Sequence, residues 1–211
     1  MKYVAIINYG LGNLRSVQNA FSYLGIETKI TKDVNEIANA SGIVIPGVGA
    51  FPKAMKNLMN ENLIPILKEY KSKGKPILGI CLGMQILFSI GFEHQETEGL
   101  NWISGEVKKI GNGIRLPHIS WANVKSTNTN SWVFNGLNPE HLRFYFVHSF
   151  SAQNVDPSNV VAVTNYDGHS IVAIVQNENV IGMQFHPEKS GKVGLQLLKN
   201  FCIKCGIEVK E

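Results

Sequence analysis

Three apolar runs limit the fold of this chain more than any other feature. YVAII (3–7), GIVIP (42–46) and ILGI (77–80) hold no charged residue, and each runs on into a turn built with glycine. An unbroken apolar stretch of this length is the pattern of a strand buried on both faces. Helical spacing fills the gaps between them. GLGN (Gly10–Asn13) opens a helix in which Val17, Ala20, Phe21 and Leu24 share one face, and Gly25 stops it. IETKI (26–30) reads as a shorter, more exposed strand. Residues 50–73 read as a helix or two helical segments, interrupted near Pro65, and Cys81 leads into a helix over 83–89. Strand and helix in alternation imply a parallel sheet wrapped by helices, with right-handed crossovers.

From residue 102 the pattern changes to short strand-like pieces: Trp102–Ile110, Trp121–Lys125, Arg143–Val147, Val160–Thr164, Ser170–Gln176 and Val180–Phe185. Asn177–Asn179 reads as the hairpin turn between the last two. A final helix over about 190–204 covers one sheet face. The expected architecture is a single α/β domain over 1–211, its mostly parallel central sheet flanked by helices and continued by an antiparallel extension.

Composition removes several function classes. The net charge of +4 is spread over scattered lysines without interleaved aromatics, which argues against nucleic acid. No apolar window is long enough to cross a bilayer. MKYVAIINYG lacks a small-residue cleavage site and reads as a first strand, not a signal peptide. Three cysteines are too few and too odd for a disulfide scaffold and favour a reducing, cytoplasmic compartment.

One of those cysteines stands apart. Gly79-Ile80-Cys81-Leu82-Gly83 places it between two glycines where a buried strand turns into a helix, the cysteine form of a nucleophile elbow. Such a turn lifts the side chain off the sheet edge. The following helix start stabilises a thiolate, and the Leu82 N–H points where an oxyanion would form. Without a base, the same pattern describes an inert buried thiol. Of six histidines, His94, His141 and His169 lie in polar segments, and His118 and His148 suit satisfied core positions. His186 ends the apolar run VIGMQF and is followed by Pro187 and Glu188. Residues i and i+2 of an extended segment face the same way, so Glu188 can orient the imidazole, with Pro187 stiffening the pair. PGVGAF (46–51) read alone is a tight βα turn. Beside the elbow, its Gly47, Val48 and Gly49 offer a second backbone donor to an oxyanion.

GICLGMQ, PGVGAF, YFVHSF and HPEKS together resemble the class I (triad) glutamine amidotransferases. YGLGNLRSV narrows the resemblance to the glutaminase subunits of imidazole glycerol phosphate synthase. It covers nearly the whole chain, from Tyr9 to the terminal helix. It implies hydrolysis of L-glutamine by Cys81, His186 and Glu188 through a cysteine thioester, with no cofactor or metal. It implies that Gln85 and Glu93 hold the substrate's α-amino end, and that backbone around His148, Ser149 and Phe150 holds its carboxylate. It also implies docking on a (β/α)8 cyclase subunit, with Asn13, Trp121 and Lys189 at the interface, and ammonia passed on for L-histidine biosynthesis. Lys189 is equally a solvated lysine, and Trp121 equally a core residue.

One segment departs from the family. PHISWAN (117–123) stands where the family reads PHMGWN, with serine for glycine and an added alanine. This leaves room for a paralogue serving surface-sugar amidation or amidination. A stand-alone γ-glutamyl hydrolase on the same fold is a further alternative, and an inactive scaffold would need a triad residue missing. Cys202 and Cys205, at i and i+3 of a helix, suit a packed pair better than a metal or redox site.

Overall fold

The computed structural model describes residues 2–127 and 131–209, so residues 1, 128–130, 210 and 211 of the expected 1–211 domain lie outside the described residues. The three apolar runs form β1 (Val4–Ile7), β3 (Gly42–Gly47) and β4 (Ile77–Cys81). Side by side in the parallel part of a nine-stranded sheet, they are joined by β2 (Thr28–Thr31) on one flank and β13 (Val180–Met183) on the other. Strand alternation divides their side chains between two cores. Val4, Ile6, Val44, Leu78 and Ile80 face one, while Ile7, Ile43, Ile45 and Ile77 face the other.

Helices cover both faces. The first core is closed by α1 (Leu14–Tyr23), through Val17, Ala20 and Phe21, and by α6 (Gly191–Lys204), through Leu197, Leu198, Phe201 and Cys202. On the second face lie α2 (Val34–Asn39), α3 (Phe51–Asn60) and α4 (Ile64–Ser72). The break expected near Pro65 falls between α3 and α4, with Pro65 in the first turn of α4, where its missing N–H costs nothing. The sequence reading lacked α2. Its signal was Asp33-x-x-Glu36, and the Asp33 carboxylate accepts the Glu36 N–H at 2.9 Å.

Beyond β13 the sheet turns antiparallel through β12 (His169–Asn177), β11 (Val160–Tyr166), β8 (His118–Ser126) and β9 (Arg143–His148), which ends it. The expected helix over 83–89 is corrected. Only Leu82–Gln85 is helical (α5), and the chain then enters β5 (Phe88–Gly91). Ile86 and Leu87 are fully buried. Their carbonyls accept N–H groups of Leu100, Trp102 and Ile103, so a returning segment satisfies the backbone that a longer helix would have satisfied internally. β5 belongs to a second sheet with β6 (Thr97–Glu98), β7 (Ile103–Lys109) and β10 (Phe150–Gln153), ordered β10-β7-β5-β6. β5, β6 and β10 were absent from the sequence reading. The expected strands at 3–7 and 102–110 each lose end residues to give β1 and β7, while β2 starts at Thr28, not Ile26, and β13 stops at Met183, short of Phe185.

Candidate active site

Cys81 closes β4 with φ 54° and ψ −111°, a left-handed backbone that non-glycine residues avoid and that persists only where the surroundings impose it. The flanking glycines show what imposes it. A Cβ on Gly83 would collide with the Ile45 carbonyl, and one on Gly79 would lie 2.6 Å from the Gly83 carbonyl oxygen. α5 therefore folds back against β3 and β4 more closely than any side chain permits.

The second half of the site comes from the chain after β13. His186 is buried, and its Nδ1 lies 2.8 Å from Glu188 Oε1. The i, i+2 argument needs correction here, because Pro187–Lys189 is a short 3-10 turn, not an extended segment. Ser190 fixes that turn. Its buried hydroxyl donates to the His186 carbonyl at 2.6 Å and accepts the Tyr145 N–H at 3.0 Å, while the His186 N–H reaches the Tyr145 carbonyl. Ser190 was not singled out in the sequence, where a serine after HPEK carries no chemical signal of its own.

With Nδ1 turned to the carboxylate, His186 Nε2 is buried without a hydrogen-bond partner of ordinary geometry and has Cys81 as its neighbour. Burial pulls the imidazole pKa down. Hydrogen bonding and charge from Cys81 and Glu188 outweigh it and raise the value to about 10. The arrangement favours a charged imidazole held between the Cys81 sulfur and the Glu188 carboxylate.

A cleft of about 500 Å³ opens over Cys81. It is lined by Val48, Gly49, Ala50, Leu82, Gln85, Glu93, Pro117 and the stretch Val147–Phe150. The structure thus brings Cys81 together with Leu82, Val48, Gly49, Gln85, Glu93, His148, Ser149 and Phe150. Gly47 does not line the cleft, but it pairs directly with Cys81 across β3 and β4. The chain leaving Gly47 is pinned at both ends. The buried Tyr9 hydroxyl donates to the Pro46 carbonyl at 2.6 Å, and burial followed by the nearby Cys81 pushes that phenol's pKa far up. Glu93 Oε2 accepts the Phe51 N–H at 2.8 Å at the start of α3. One carboxylate oxygen of Glu93 is therefore committed to holding the loop.

Gln85 is similarly engaged. Its Nε2 donates to the Phe150 carbonyl at 2.9 Å and to Gln184 Oε1 at 3.1 Å. Fully buried Gln184 in turn directs Nε2 to Cys81 Sγ at 3.8 Å. Gln184 was missed because a single polar residue inside VIGMQF looks like ordinary strand alternation.

None of the three expected interface residues lines the cleft. Asn13 precedes α1 and is half-buried, and Lys189 is exposed on the 3-10 turn. Trp121 is no core residue, since it is 45% exposed on β8. Opposite it on β9 stands Tyr145, and the neighbouring pair is Ile119 (57% exposed) with Val147. These four form an apolar face beside the cleft. Cys202 and Cys205 lie far along α6. Burial pushes the Cys202 thiol up to about 12 and Cys205 further, so both are held protonated. Among the described residues, no group of three His, Cys, Asp or Glu is placed to hold a metal ion, and no helix is long and apolar enough to cross a membrane.

The family model "Glutamine amidotransferase class-I" matches residues 5–205. The imidazole glycerol phosphate synthase subunit HisH of Lactococcus lactis subsp. lactis is 47% identical over 95% of this chain and 98% of its own. That of Caldanaerobacter subterraneus subsp. tengcongensis is 43% identical over 96% and 99%. Among solved structures, PurLQS from Thermotoga maritima superposes with a TM-score of 0.76 at 23% identity, covering 96% of this chain and 99% of that one. The acivicin-bound glutaminase domain of Trypanosoma brucei CTPS gives 0.66 at 13%, covering 100% and 96%. At those identities the two structures speak for the fold alone. By the family model and by these relatives, the chain belongs to the class I glutamine amidotransferases, in the family of the HisH subunits of imidazole glycerol phosphate synthase.

Proposed function

We propose that the chain is a cytoplasmic glutaminase subunit that releases ammonia from L-glutamine and delivers it to a (β/α)8 cyclase subunit for imidazole glycerol phosphate and AICAR formation in L-histidine biosynthesis. The observation that carries this reading is a cysteine at a strained elbow, on the wall of a cleft, with a buried His–Glu pair behind it. The Cys81 thiolate attacks the side-chain amide carbon of glutamine. The Leu82 N–H and the Gly47–Gly49 backbone hold the resulting oxyanion. His186 gives its proton to the departing nitrogen, which leaves as ammonia, and a γ-glutamyl thioester remains on Cys81. Water then adds to the thioester while His186 takes its proton, and collapse returns glutamate and the thiolate. Glu188 keeps the imidazole in the tautomer that presents Nε2 to the reacting atoms. Gln85, through Oε1, and Glu93 receive the substrate's α-ammonium, and the backbone at His148–Phe150 receives its carboxylate.

The apolar face of Ile119, Trp121, Tyr145 and Val147 continues from the cleft mouth, so a barrel subunit seated there, with Asn13 and Lys189 at the rim, would seal the ammonia from water. The test is glutamate release by the purified chain with and without the cyclase subunit of the histidine pathway from the same genome. Low activity alone and strong stimulation by that subunit is the expected result. Binding without stimulation points to a different acceptor pathway, and high activity alone to a stand-alone hydrolase.

A further inference from the structure

Ser120 lies at the residue where PHISWAN departs from the family pattern, and it begins a hydrogen-bonded chain that ends at the nucleophile. His118 and His148 face each other across β8 and β9. His118 is fully buried, stacked between Tyr166 at 4.0 Å and Phe146 at 5.1 Å. Its Nε2 lies 2.8 Å from Ser120 Oγ, and its Nδ1 lies 3.2 Å from His148 Nε2. His148 Nδ1 lies 2.8 Å from the Phe150 carbonyl oxygen.

The far end determines every proton. A carbonyl only accepts, so His148 Nδ1 carries hydrogen, and in the neutral ring Nε2 is then the acceptor. His118 Nδ1 must donate to it, which leaves His118 Nε2 to accept from the Ser120 hydroxyl. Burial keeps both rings neutral, each pKa lowered to about 4. The Phe150 carbonyl also receives Gln85 Nε2, whose second hydrogen holds Gln184 against Cys81.

We infer that Ser120 is a positioning residue whose hydroxyl, by donating to His118 Nε2, satisfies the tautomers that the Phe150 carbonyl selects in His118 and His148 and thereby holds the Phe150 carbonyl and the Gln85 amide in their glutamine-binding geometry. The inference rests on the glutaminase reading of the cleft. Without the hydroxyl, His118 Nε2 is a buried acceptor with nothing to accept. Flipping its tautomer removes that orphaned acceptor but sets two lone pairs against each other at His148, and if His148 flips in turn the Phe150 carbonyl loses one of its two donors. Because Gln85 is held through that carbonyl, the effect falls first on substrate binding, since the Cys81–His186 contact itself uses none of these groups.

Glutaminase kinetics of Ser120→Ala and Ser120→Thr, in the assembly that supports wild-type turnover, test this together with imidazole ¹⁵N NMR of the wild-type chain. In the wild type, His118 is protonated at Nδ1 and His148 at Nδ1. Ser120→Ala raises KM for glutamine about fivefold, with kcat little changed, and Ser120→Thr restores it. Wild-type KM in Ser120→Ala overturns the inference, and so does the opposite tautomer in either ring. So does a parallel fall of kcat, Tm and Cys81 alkylation, which would mark a merely structural role. An inactive wild type instead overturns the glutaminase reading, and the NMR result stands apart from it.

Discussion

At the scale of single residues, the proposed chemistry needs a sulfur, an imidazole and a carboxylate. Cys81→Ala removes the nucleophile without leaving a charge or a large void, so glutamine turnover is expected to vanish while circular dichroism and cyclase binding stay as in the wild type. His186→Asn is expected to lower turnover at least about a hundredfold, since proton transfer of this kind contributes that much or more. Its pH signature has a definite sign. The folded pKa near 10 lies above the ordinary 6.5, so the charged imidazole stabilises the fold fully below about pH 6.5. That contribution drains away as pH rises through about 10. The Tm difference between wild type and His186→Asn should therefore shrink from pH 6 to pH 10, and a difference that grows would contradict the ion pair. Cys81 and His186 were legible as residues because each interrupts an apolar strand with chemistry. The 3-10 turn that joins His186 to Glu188 was not, because its geometry depends on Ser190 bonding to β9 forty-five residues away in sequence.

At the scale of elements, the elbow is a packing problem solved by glycine. A methyl on Gly83 meets the Ile45 carbonyl, which is main chain in a central strand and cannot yield. Gly83→Ala is expected to cost at least about 1–3 kcal/mol in urea unfolding and to slow Cys81 alkylation, because α5 must retreat from β3. Wild-type stability would show that the approach is looser than described. Periodicity exposed the buried strands because residues of both faces were apolar. It failed at 83–89, where ILF fits a helix and a buried strand equally well, and only the backbone partners at Leu100–Ile103 decide between them. Of the second sheet only β7 was legible: β6 is two residues long, and β10 is separated from β9 by a single residue.

At the scale of the whole molecule, the two cores divide the labour. The core closed by α1 and α6 supports β13 and Phe185, whose ring stacks on Phe144 at 4.1 Å and so ties the His186 segment to β9. The opposite core carries the Gly47–Gly49 loop through Phe51, and the second sheet beside it. The cleft sits where these supports meet, at the carboxyl ends of β3 and β4, the usual place for a site in a parallel sheet. Trp121 stands outside both cores. Trp121→Ala is expected to leave Tm nearly unchanged and to weaken cyclase association by more than about 1 kcal/mol, as central aromatic anchors do. Titration calorimetry reads this directly, and unaltered affinity would move the docking face elsewhere. Cys81 alone among the three thiols is expected to carry the γ-glutamyl group. The most direct measurement is peptide mapping by mass spectrometry after treatment with an electrophilic glutamine analogue. Modification confined to Cys81, blocked by glutamine and suppressed in His186→Asn, is the predicted result. Labelling of Cys202 or Cys205 with Cys81 unmodified would contradict it.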